Sequence, residues 1–179
     1  MNWTEDVLHF WFEELGSDGW FGSGDTIDAQ IIERFQELWE EQKSKTAADF
    51  LDTPETALAA IILFDQFPRN MFRGTAEAFA TDHLALQIAG QAIDREMDHK
   101  LSDDQRAFVY MPFMHSEDLD DQTRSLGLFT ALGSEENLKF AKSHRDIIAE
   151  YGRFPHRNAV LGRETRAEEQ VAIEEGSNW

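Results

Sequence analysis

Three short segments gather the side chains that could do chemistry. The first is FDQFPRNMFRG, residues 64–74, where a turn at Pro68 keeps Asp65, Arg69, Asn70 and Arg73 close together. Guanidinium forks bind carboxylates and phosphates through paired hydrogen bonds, and Asp65 is spaced to orient them. The second is YGRFPHRNAVLGR, residues 151–163, which repeats the Phe-Pro-basic theme 87 residues later, counting from Phe67 to Phe154. Arg153, His156, Arg157, Asn158 and Arg163 follow one another there with no acid between them. His156 titrates near neutral pH and could serve as an acid or base. The third is YMPFMHSEDLDDQ, residues 110–122, which brings His115, Glu117 and Asp118.

These residues support a site for a small anionic ligand. Asp65, Arg69, Asn70, Arg73, Arg153, Arg157 and Asn158 are the candidate binding residues, and His156 and His115 the candidate catalytic pair. A plainer alternative uses the same residues as braces, each cation meeting a carboxylate and locking two helix ends together. No metal is expected. HExxH is absent, and His115, Glu117 and Asp118 match no zinc spacing. Ser116 precedes two acids and reads as a helix cap, since neighbours at a helix start do not face each other. His144 falls on an apolar helix face and is expected to be a satisfied core histidine, and Asp82 a simple cap. The residues name no cofactor and do not decide whether a reaction occurs.

Charge distribution singles out the two Phe-Pro segments. The chain of 179 residues carries a net charge of −19. Residues 1–64 hold 14 acids and 3 bases, whereas residues 65–73 and 153–163 hold five arginines and one acid. Arginine outnumbers lysine 11 to 5, which suits bidentate pairing better than plain solvation. The acidic balance argues against nucleic acid and anionic membranes as partners. No cysteine is present, so thiolate chemistry and disulfides are excluded. Glu5 and Asp6 stand where a secretory leader carries Lys or Arg, and no apolar run approaches the ~20 residues of a membrane span. A cytoplasmic location is expected.

The elements that must position these residues are helices. Val7, Leu8, Trp11 and Leu15 form one stripe, followed by the loop GSDGWFGSGD with Trp20 and Phe21 folding back on the core. A second helix follows from Ile27 to Trp39. The third starts with Thr53 as cap and Pro54 in the first turn, is apolar nearly all round, and is expected to end at Pro68. A fourth runs from Thr81 to Met97. Ser102 and Gln105 make a capping box for a fifth, which meets Pro112. The sixth opens at Ser116 and closes at Gly133. The seventh opens at Ser134 and closes at Gly152, and a short polar helix covers residues 166–175. The pattern predicts one all-α domain over residues 1–179, built from about eight antiparallel helices, with a loosely docked tail from about residue 170.

LFDQFPRNMFRGTAEAFATD, YMPFMHSEDLDDQ and GRFPHRNAVLGRET resemble the hallmark segments of the bacterial family known as domain of unknown function 924. The similarity runs from Val7 to about Glu169. The resemblance implies a tetratricopeptide-like right-handed superhelix, and it brings no established activity and no catalytic residues. The tail EEQVAIEEGSNW is polar where family members often end in an apolar segment. Tetratricopeptide-like folds often hold extended peptides, so a protein-interaction module stands as a second functional class.

Overall fold

The computed structural model describes residues 2–20 and 24–174. Those residues form eight helices and no strand, as the apolar periodicity predicts. Helix α1 covers residues 3–20, α2 Asp25–Gln42, α3 residues 54–71 and α4 Asp82–Asp94. Helix α5 covers Asp103–Met114, α6 Leu119–Leu132, α7 Glu135–Tyr151 and α8 Ala167–Glu174. The expected placement of Phe21 and the last part of the polar tail lie outside the described residues. By its internal contacts the chain divides into two compact units. Unit 1 holds residues 1–73 and 77–112, and unit 2 holds residues 74–76 and 113–179.

Unit 1 is built around α3. Thr53 accepts the Thr56 N–H at 3.1 Å and Pro54 occupies the first turn, so the helix starts where its sequence dictates. Every residue from Ala57 to Phe67 is buried, so this helix forms the centre of the unit. Phe67 stacks on Trp11 and Phe35, with ring centroids 5.7 and 4.7 Å apart, which ties α1 and α2 to it. Burial of such side chains contributes roughly 1.5–3 kcal/mol each.

Pro68 does not end α3. The helix widens to a π-helical stretch over Ile62–Gln66 and continues as Phe67–Met71. Proline has no N–H to give the carbonyl four residues back, here that of Phe64. The Thr81 hydroxyl donates to that carbonyl at 2.7 Å instead, and itself accepts the Trp39 indole N–H at 3.2 Å. A partner 17 residues away thus carries the helix through a residue that normally stops one. Helix α1 also extends further than the sequence suggests. It reaches Trp20 through a turn at Gly16, whose φ of +64° suits glycine, and the Trp20 indole donates to the Trp11 carbonyl at 2.7 Å. The Ser102–Gln105 capping box forms as expected, and α5 stops two residues past Pro112.

Unit 2 pairs α6 with α7. Gly133 and Gly152 close these helices at φ +77° and +72°, the left-handed conformation their sequence positions call for. The cap of α6 is Asp118 rather than Ser116. The Asp118 carboxylate accepts the N–H groups of Asp120 and Asp121, while Ser116 accepts from Asp118 N–H and donates to the Asp121 carboxylate. Phe129, Ala141, Ile148 and Phe154 form the apolar centre of the unit. After Gly152 the chain runs through a 3-10 turn at Pro155–Arg157 and returns to α8.

Candidate functional site

The first arginine segment lies wholly in unit 1. Arg69 follows Pro68 in the last turn of α3 and forks onto Asp82, Nη1 to Oδ1 at 2.8 Å and Nη2 to Oδ2 at 3.0 Å. Its Nη1 also reaches the Asp65 backbone carbonyl, and the Asp65 carboxylate stands 3.5 Å away, fully buried. Asp82 is therefore an ion-pair partner, not the simple cap its sequence position suggests. Burial works against the charge of Arg69, but Asp65 and Asp82 outweigh it and raise its pKa above the ordinary arginine value. Asn70 donates to Asp28 at 2.8 Å, and Arg73 forks onto the same carboxylate at 2.9 Å through both Nε and Nη2. The Arg73 fork holds Asp28 below the usual carboxylate range. Two arginines here meet three aspartates.

Unit 2 holds the other two segments. Glu117 accepts the Arg163 fork at 2.7 and 3.0 Å and the Phe154 N–H at 2.7 Å. Burial would raise its pKa, but these donors more than reverse that and lower it. Arg163 also donates to Asn158 Oδ1 at 3.0 Å and to the Phe154 carbonyl at 3.0 Å. These bonds pin the RFPHRN turn to the start of α6.

Glu169, fully buried on α8, takes a second set. Arg153 donates Nε to its Oε1 at 2.6 Å and Nη2 to its Oε2 at 2.9 Å. Asn158 donates to Oε2 at 3.0 Å, and Arg166 adds its backbone N–H at 2.8 Å and two guanidinium contacts at 3.0 and 2.6 Å. Arg153 foremost, against burial, holds the Glu169 carboxyl far below its ordinary value. Arg153, Arg163 and Arg166 thus share two hydrogen-bonded carboxylates. Glu168 approaches Arg166 at 3.7 Å from an exposed position.

The histidines form a separate group in unit 2. Arg157 is buried, lies over the Phe154 ring at 4.5 Å and donates to the His115 carbonyl at 3.1 Å. The His144 ring stands 6.4 Å from that of His115 and 5.5 Å from Phe154, and the His156 ring stands 5.8 Å from Phe154. Burial first, and the charge of His115 next, push His144 down to about 3. Its Nδ1 lies 2.8 Å from the Phe140 carbonyl, which places the proton of the ring that burial keeps neutral on Nδ1. This is the satisfied core histidine the sequence predicts.

An open depression of about 650 Å³ adjoins the Glu169 cluster, lined by Arg153, Arg163, Glu164, Thr165, Arg166 and Ala167. Among the described residues, Nη1 of Arg153 and Nη1 of Arg166 have no hydrogen-bond partner. Asp65, Arg69, Asn70 and Arg73 gather in unit 1; Arg153, Arg157, Asn158, His115 and His156 gather in unit 2. Sequence reading missed Glu169, Arg166 and Asp28. The i,i+3 spacing of Arg166 and Glu169 was the one available signal, and nothing in a polar helix marks a single carboxylate as buried.

The curated proteins contain no match to this chain. Among solved structures, a protein of unknown function from Agrobacterium tumefaciens is similar, with a TM-score of 0.91 and 42% identity over 97% of each chain. The sequence model of a family of bacterial proteins of unknown function, DUF924, matches residues 7–177. Since that match spans nearly the whole chain, the protein belongs to the DUF924 family of bacterial proteins of unknown function.

Proposed function

We propose that unit 2 is an anion-binding module whose ligand sits in the depression bordered by Arg153, Arg163 and Arg166. The observation that carries this reading is the pair of Nη1 donors on Arg153 and Arg166, without a partner among the described residues, beside an open depression of about 650 Å³. That volume falls within the range of small-molecule sites, ~300–1,000 Å³. The residual N–H groups on Arg153 and Arg166 would donate to a carboxylate or phosphate oxygen. Arg157 and Asn158 act one step back. Arg157 stacks behind Phe154, and Asn158 holds Arg163 and Glu169 in place. His115 and His156 do not line the depression, so the reading is one of binding, with no proton-transfer step assigned.

Asp65, Arg69, Asn70 and Arg73 take the bracing role in this reading, because the two arginines meet three aspartates, Asp65, Asp82 and Asp28. A thermal-shift screen of anionic metabolites, with inorganic phosphate included, tests the proposal. A ligand present at a hundred times its dissociation constant should add about 2.7 kcal/mol of stability. Arg153→Met and Arg163→Met should each abolish that gain, and Arg73→Met should leave it intact. A screen in which no anion stabilises the protein contradicts the proposal.

A further inference from the structure

Helix α8 is held in an unusual way. Glu169 is its one buried side chain, while Val171 and Ile173 are 55% and 36% exposed. No apolar face docks this helix; a carboxylate does. The carboxylate is coordinated as a bound ligand would be, each oxygen receiving three hydrogen bonds from Arg153, Asn158 and Arg166. The coordination is shaped for a planar two-oxygen acceptor. Arg153 meets the two oxygens side-on, Nε on one at 2.6 Å and Nη2 on the other at 2.9 Å. The socket itself is anchored without α8. Arg153 is tied to the Glu164 carbonyl, and Asn158 to Arg163, which Glu117 fixes in turn.

We infer that Glu169 is a resident stand-in for the carboxylate of an exogenous ligand, which enters the Arg153–Asn158 socket by displacing it and releases α8. This rests on the anion-binding reading above and names its ligand class as carboxylates, with α8 as the regulatory element. An isolated helix of eight residues is not stable in water. Once Glu169 leaves the socket, α8 unwinds, and occupancy of the site becomes visible as loss of helix. In the resting protein the tethered carboxylate competes at high effective concentration, which keeps the affinity for small carboxylates low.

Acetate and inorganic phosphate are the probes, used on the full chain. Binding is measured by calorimetry, and the protection of α8 amides by hydrogen exchange. Glu169→Gln is expected to bind acetate about tenfold or more tightly than the natural protein, since it removes the internal competitor. In the natural protein, saturating acetate is expected to strip exchange protection from residues 167–174. Adding Arg153→Met to either form should erase acetate binding. Equal or weaker acetate binding by Glu169→Gln overturns the inference, and so does unchanged α8 protection at saturation. If Glu169→Gln does not fold, the exchange experiment on the natural protein still decides. Binding of phosphate with α8 intact would sink this inference and leave the anion-binding reading standing. An absence of binding by either anion to any form would remove both.

Discussion

The same Phe-Pro-basic theme is used twice, and the second use adjoins an open depression. In unit 1, Arg69 and Arg73 meet Asp65, Asp82 and Asp28, and each guanidinium forks onto a carboxylate. In unit 2, Arg153, Arg163 and Arg166 surround two hydrogen-bonded carboxylates, Glu117 and Glu169, beside an open depression, and Glu168 stands 3.7 Å from Arg166. The difference shows that a cluster of arginines says little by itself. On the proposed reading, the open depression beside the unit 2 arginines is what leaves room for another anion.

The largest expected effect tests the brace. Arg69→Ala strands Asp65 and Asp82 without their cation, and breaking a buried pair this way costs about 3–5 kcal/mol. Urea denaturation should show that loss, with anion binding by the remaining folded protein unchanged. A loss below about 1 kcal/mol would remove the contrast with Arg73.

Next in size is the pH effect of His144 in unit 2. A histidine in the unfolded chain titrates near 6.5, whereas His144 in the folded unit is held down to about 3. The unfolded chain therefore binds the extra proton first. The contribution of His144 is fully present above pH 6.5 and declines as pH falls toward about 3, by at most ~1.4 kcal/mol per pH unit. Below the ordinary carboxylate range Glu117 and Glu169 add losses of the same sign, because their folded pKa values are depressed. Denaturation measured from pH 7 to pH 5 should show the histidine slope, and His144→Leu should flatten it. An unchanged slope in that variant contradicts the assignment.

Smaller effects refine the picture. Asp118→Ala should cost about 1 kcal/mol as the loss of a helix cap, and Ser116→Ala less. Reversal of that order would restore Ser116 as the cap. Arg73→Ala, at a half-exposed pair, should cost about 0.2–1 kcal/mol, the smallest of the set.

Local chemistry made much of the fold legible. Thr53 with Pro54, Ser102 with Gln105, and Gly133 and Gly152 all mark helix ends with side chains that act within three or four residues. The failures share a longer reach. Pro68 fails to stop α3 because Thr81 satisfies the Phe64 carbonyl from elsewhere in the chain. Asp82 reads as a cap until Arg69 is seen to claim it. The arginine segments of the candidate site were visible as basic islands in an acidic chain. Their partners were not, because Asp28, Glu117 and Glu169 are ordinary acids until folding buries them against a guanidinium.

The account turns on whether the arginines of unit 2 retain capacity for an anion and those of unit 1 do not. Titration of the natural protein with inorganic phosphate and acetate, followed through the NMR signals of arginine Nε–H groups, tests this most directly. The prediction is saturable shifts at Arg153, Arg163 and Arg166, with Arg69 and Arg73 unmoved. Shifts confined to Arg69 and Arg73, or no saturable shift at any arginine, would contradict it.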